Sequence, residues 1–230
     1  MNDTIYQAAA LIIPLVIAIV FHEVSHGYVA KLLGDPTAAE MKRLSLNPVR
    51  HVDPIGTVVL PGFLAMASLP VFGWAKPVPV IRERLRNPRF GMMLVAIAGP
   101  GSNLVLAAVG AVLLGLLSRS ITAVPVDGSW LQFVTLNLFN FITINIFLAL
   151  FNMLPIPPFD GSHIVEGLLP RSMVAAYEGL RRYGFLLVLV LIVVLPRLIP
   201  GFDPVGKLVV PPVQWLIGHY LALAQLVAGG

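Results

Sequence analysis

The stretch Ile17-Ala18-Ile19-Val20-Phe21-His22-Glu23-Val24-Ser25-His26 sets an HExxH pattern into an otherwise apolar run covering residues 5–33. Histidines at i and i+4 share one face of a helix and can hold one metal ion between them. A glutamate directly after the first can reach a water beside that ion as general base. Ionisable groups this close together are costly at bilayer depth, so they point to chemistry and not to packing. His22 and His26 are therefore candidate metal ligands and Glu23 a candidate base, in hydrolytic chemistry placed where water is scarce.

The composition agrees with a membrane setting. Hydrophobic residues make up 57% of the 230 and charged residues 11%, whereas an ordinary soluble domain carries about 25% charge. Mean hydropathy is +0.88. The first apolar run follows a polar Asn2-Asp3-Thr4 start with no basic segment and no Ala-x-Ala-like cleavage site before His22, so it is expected to stay as a helix. With no cysteine in the chain, any metal must be held by histidine and carboxylate. The net charge of +4 does not mark a nucleic-acid surface, because the basic residues flank apolar spans. Lys31, Lys42, Arg43, Arg50, Lys76, Arg82, Arg84, Arg86 and Arg89 form one basic region and Arg171, Arg181 and Arg182 a second; the positive-inside rule puts both on the cytoplasmic side.

A helix needs about 20 apolar residues to cross a bilayer. Residues 5–33, 91–117, 131–154, 183–198 and 208–227 meet that need, the fourth being short and closed by Pro196 and Pro200. Residues 53–80 are apolar but interrupted by Pro54, Gly56, Pro61, Gly62, Pro70, Gly73, Pro77 and Pro79. A segment that enters and returns keeps both flanking basic loops on one side, and runs such as Thr57-Val58-Val59-Leu60 and Pro77-Val78-Pro79-Val80 suit edge β structure. The expected fold is an all-α polytopic membrane protein, with about five transmembrane helices plus a re-entrant β-hairpin-like segment after the first. The whole chain, 1–230, reads as one membrane-embedded domain, with a core at about 5–165 and C-terminal helices at about 183–227. The N-terminus lies outside, and His22, about 25 Å along the first span at 1.5 Å per residue, falls in the cytoplasmic half.

A catalytic zinc takes a third protein ligand. Asp160 is the candidate. It follows the third span in Asn152-Met153-Leu154-Pro155-Ile156-Pro157-Pro158-Phe159-Asp160-Gly161, where prolines end the helix and Gly161 permits a turn. The first and third spans both run inward, so His22, His26 and Asp160 can meet. His51 and Asp53 are expected to steady the loop beside the re-entrant segment. His163 is expected on an exposed loop, and Asn103 packed against a neighbouring helix near the site. Trp74 and Lys76 read as interfacial anchors.

These motifs, with Phe72-Gly73-Trp74-Ala75-Lys76-Pro77-Val78-Pro79-Val80, Asn47-Pro48, Asp53-Pro54-Ile55-Gly56 and Ala98-Gly99-Pro100-Gly101-Ser102-Asn103, resemble the site-2 protease family of intramembrane zinc metalloproteases. The likeness covers about residues 15–165 and is to the short prokaryotic branch without a PDZ domain. It implies one Zn²⁺ per chain on His22, His26 and Asp160, Glu23 activating water, and Asn152 hydrogen-bonding the scissile carbonyl or its oxyanion. It also implies a transmembrane protein substrate, cut within or near its span in a prokaryotic cell membrane, with the site toward the cytoplasm and no nucleic-acid partner. Two readings remain open beside it: a metal-binding membrane transporter, suggested by the Pro-broken end of the third span, and a catalytically silent zinc-binding membrane protein.

Overall fold

The computed structural model describes residues 3–66, 73–121 and 126–230, and among these the regular structure is helical with no strand. The first helix, α1 (Asp3–Leu32), is followed by the short α2 (Thr37–Glu40). A π-helical turn, Pro54–Val59, then leads into α3 (Leu60–Met66). Two long helices follow, α4 (Pro88–Ser120) and α5 (Trp130–Asn152). Next come α6 (Asp160–Leu168), α7 (Arg171–Glu178), α8 (Gly184–Leu189), α9 (Leu195–Leu198) and α10 (Val210–Ala228).

Stretches long and apolar enough to cross a membrane are Ile5–Leu32, Pro88–Ser120, Trp130–Asn152 and Arg171–Leu198, four among the described residues. The fourth is longer than the sequence suggested, because helical turns continue almost unbroken from α7 through α9. The expected fifth span corresponds to α10, which is not among the four. Pro211, Pro212, Gln214, His219 and Gln225 dilute its apolarity.

Helices α1, α4 and α5 pack on one another, and α10 covers α4 and α5. α4 makes this close approach possible with a buried stripe of Gly99, Asn103, Ala107, Gly110, Ala111 and Gly115, small groups at the three- and four-residue spacings of one helical face. The core between α4, α5 and α10 is built from Ala107, Ala111, Leu114, Ile142, Ile146, Val213 and Ala224. On its other face α1 leaves Leu11, Ile12, Ile13, Ile17 and Phe21 exposed, as suits a helix bathed in lipid.

The expectation of a β-hairpin at 53–80 is corrected in its first arm. Thr57-Val58-Val59-Leu60 is helical. The physical reason is the cap. Asp53 Oδ1 accepts from Ile55 N (3.0 Å) and Gly56 N (2.7 Å), and Pro54 sits at the first helical position, so a helix starts there in spite of the β-branched run. Residues 73–81 carry no helix or strand up to a 3₁₀ turn at Arg82–Arg84. The ends of the segment nevertheless return to each other: Trp74 N donates to Gly56 O (3.1 Å), Lys76 N to His51 O (2.8 Å) and Thr57 Oγ1 to Trp74 O (2.9 Å). Residues 67–72, including Phe72 of the quoted motif and Pro70, lie outside the described residues.

Candidate metal centre

Helix α1 delivers His22 and His26 one turn apart on a buried face, and α6 delivers Asp160 as its first residue. Asp160 is thus a helix start and not the tight turn its Asp-Gly sequence suggested. Its Oδ2 lies 3.1 Å from His22 Nε2 and 3.4 Å from His26 Nε2, and one ligand atom from each of the three residues falls within 4.8 Å of the others. Helix α4 packs directly behind. A Cβ at Gly99 would stand 2.5 Å from the His26 ring and 2.6 Å from the His22 ring, so only glycine lets α4 come this close.

The hydrogen bonds on the far side of each ring fix its tautomer. His26 Nδ1 is 2.7 Å from Val95 O, and a carbonyl can only accept, so Nδ1 carries the hydrogen. His22 Nδ1 is 2.6 Å from Asn103 Oδ1. The Asn103 amide is oriented by its own donations from Nδ2 to Ala18 O (3.2 Å) and Asn145 Oδ1 (2.7 Å), so here too Nδ1 donates. Both Nε2 atoms face a carboxylate oxygen that is itself buried without a hydrogen-bond partner, and in the neutral ring with its hydrogen on Nδ1 each presents a lone pair to it. A single proton would join only one of the nitrogens to the oxygen; a divalent cation takes all three atoms. Ligand atoms each about 2.0 Å from a tetrahedral zinc stand about 3.3 Å apart, which is the spacing found between Asp160 and the two rings. Imidazole, imidazole and carboxylate, with each imidazole braced through its other nitrogen, suit zinc.

Glu23 is half-buried on α1 beside this cluster, and its Oε2 accepts from Val78 N (2.9 Å). Asn152, the candidate oxyanion donor, closes α5; its Nδ2 donates to Leu148 O (2.9 Å) within its own helix, and among the described residues no hydrogen bond joins it to the His–Asp cluster. Asn103 is wholly buried and braces His22, a role more specific than the helix packing expected of it. Asp53 caps the π-helical turn, and His51 Nε2 bonds Ser45 O (2.7 Å), both loop-steadying roles as expected. Trp74 packs edge-on against Phe185.

His163 departs from expectation. It lies on α6, half-buried, 2.8 Å from Arg181 Nη2, and burial followed by the Arg181 charge pushes its pKa down to about 4. Beside it Glu166, 2% exposed, binds Arg82 and Arg181. Sequence reasoning passed over Glu166, Asn145 and the Val95 carbonyl. Asn145 did carry a signal, an amide in the middle of an apolar span, but so did Asn137 and Asn140 of the same helix, and only packing selects among them.

The fold and this cluster define a membrane-embedded metallohydrolase-type centre. Residues 118–195 match the model of Peptidase family M50. The chain is 39% identical over 207 residues to "Putative zinc metalloprotease YwhC" of Bacillus subtilis, covering 86% of this chain and 90% of that protein. It is 28% identical over 172 residues to "Putative zinc metalloprotease Rip2" of Mycolicibacterium smegmatis, covering 75% of this chain and 62% of that protein. No solved structure matches. The chain belongs to Peptidase family M50.

Proposed function

We propose that this protein is an intramembrane zinc metalloprotease that hydrolyses peptide bonds within or near the transmembrane segment of another protein. The observation that carries the reading is the cluster of possible ligand atoms, His22 Nε2, His26 Nε2 and Asp160 Oδ2, facing one another in an apolar helix bundle with Glu23 alongside. His22, His26 and Asp160 would hold one zinc per chain. Bound there, zinc supplies Lewis acidity that polarises the scissile carbonyl and activates water. Glu23 takes a proton from the attacking water and returns it to the leaving amine. Asn152 Nδ2, whose second hydrogen is not used by Leu148 O, serves the carbonyl oxygen as charge builds on it. The substrate helix must unwind locally, since each carbonyl of an intact helix is engaged by an amide four residues on.

The same reading extends to placement. The charge bias puts the N-terminus outside and the site toward the cytoplasm of a prokaryotic cell, α10 crosses as a fifth span, and residues 53–80 enter the membrane and return. The test is purified protein in liposomes with tagged single-span proteins whose segments carry an Asn-Pro helix break, wild type beside Glu23→Gln, with zinc content measured for both. One zinc per chain in both and cleavage by wild type alone is the expected result. Well-folded protein without zinc would overturn the assignment.

A further inference from the structure

Residues 76–81, which form neither helix nor strand, are held down at both ends by buried charged side chains. Arg43, 9% exposed, donates from Nη2 to Lys76 O (2.8 Å) and Pro77 O (3.4 Å), while Lys76 N donates to His51 O (2.8 Å). At the far end Ile81 N donates to Asp35 Oδ2 (2.6 Å). Asp35 is wholly buried, and its other oxygen accepts from Thr37 N (3.0 Å) and the Thr37 hydroxyl. Between these anchors Pro77 and Pro79 have no N–H, so Val78 carries the one main-chain donor of the Pro-Val-Pro step. That donor is spent on Glu23 Oε2 at 2.9 Å.

The approach is built from the helix side as well. Gly27 lies four residues after Glu23, on the same face of α1. A Cβ there would stand 2.8 Å from Val78 Cγ1 and 2.5 Å from Leu44 Cδ2, so glycine lets the strap lie against the helix. α1 thus offers His22 and His26 to α4 and α6, and Glu23 and Gly27 to the strap.

We propose that the Val78 main-chain amide is the positioning group of the catalytic base. A glutamate side chain has three rotatable bonds, and a base that swings loses the geometry on which proton transfer depends. By occupying Oε2, the Pro77-Val78-Pro79 strap fixes the carboxylate plane and leaves Oε1 to take the proton. The proposal rests on the reading of Glu23 as general base. It also accounts for the anchoring: Arg43 and Asp35 hold the strap rigid, so the amide is a fixed dipole.

The test removes the amide hydrogen. An amide-to-ester exchange at the Pro77–Val78 bond, installed by nonsense suppression, deletes the N–H and keeps the side chain; Val78→Pro deletes it with an encoded residue. Both are assayed in the liposome system for kcat, KM, zinc content and thermal stability. Loss of kcat by about 10- to 100-fold, with KM and zinc content held, is expected, and Val78→Ala, which keeps the amide, should lower kcat less than the ester does. A raised KM at unchanged kcat would show that the strap acts on substrate, and a raised kcat that it restrains the base; either overturns the proposal, as does an ester variant that matches wild type. Zinc-loaded wild type that cleaves no better than Glu23→Gln would instead overturn the protease reading and the strap's role with it.

Discussion

Two carboxylates six residues apart on α6, Glu166 buried and Asp160 half-buried, have opposite surroundings. Glu166 has its own cations: Oε1 meets Arg82 and Oε2 meets Arg181, with Arg82 also 3.1 Å from Glu178. Asp160 meets, among the described residues, no lysine or arginine but two imidazole nitrogens of rings braced on their far sides. Burying a charge is tolerable only with compensation. The first group is compensated by the chain itself, whereas the second is placed so that a bound cation could compensate it. Arg82 follows the strap and Arg181 precedes α8, so the Glu166 cluster ties the strap and the fourth apolar stretch to the helix that carries Asp160. Arg89 completes the hold, donating from Nε to Gly167 O (3.1 Å) at the other end of α6.

Exchanging the two carboxylates for their amides is the most direct way to break this contrast. Asp160→Asn should abolish stoichiometric zinc binding and lower cleavage by more than about 1,000-fold, while apo-protein stability changes little. Glu166→Gln should do the reverse, costing about 3 kcal/mol because two guanidinium groups lose their shared partner, with zinc still bound at one per chain. That figure is at the low end for breaking a buried pair, since both arginines are partly solvated. Elemental analysis and thermal unfolding of the two variants in the same detergent decide it. Equal zinc loss in both would erase the distinction drawn between the two sites.

A smaller effect sharpens the metal side alone. Asn103 braces His22, and Asn145 in turn accepts from Asn103 and donates to Phe141 O at 2.8 Å. Removing a group that orients a metal-binding histidine typically costs 10- to 100-fold in affinity. Asn103→Leu should therefore weaken zinc by about that factor in a chelator competition, and Asn145→Leu, one bond further out, by less. His26 is braced by a backbone carbonyl and should be indifferent to both.

The part of the site that the sequence made legible is the part that needs special residue types. His22, Glu23, His26 and Asp160 stand out because an apolar helix bundle has few reasons to keep them. What braces them is less visible. The Val95 carbonyl and the Val78 amide belong to the backbone and leave no residue signature, and Asn103 declares its role only once α4 is packed on α1. The same limit explains the helical turn at Pro54–Val59: β-branched side chains favour strand, but a capping aspartate followed by proline outweighs them locally. Glu166 drew no notice in the sequence, because the partners that meet it, Arg181 and Arg82, lie 15 and 84 residues away in the chain.

The smallest expected effect concerns His163, which shares α6 with both carboxylates. Burial and the neighbouring guanidinium groups of Arg181 and Arg82 lower its pKa from 6.5 to about 4, against an opposing pull from Asp160. In the unfolded chain the imidazole gains a proton as pH falls below 6.5; in the folded protein it stays neutral until about pH 4. The unfolded state therefore binds more protons across this window, so His163 contributes stability above pH 6.5 that is lost as pH falls toward 4. Between pH 7 and 5.5 the loss amounts to about 1 kcal/mol. It should appear as a steeper fall in melting temperature for wild type than for His163→Gln, whose side chain does not titrate. Parallel curves would mean that the histidine is as free to protonate in the fold as out of it, and the ion cluster around Glu166 would then be more open to water than its 2% exposure indicates.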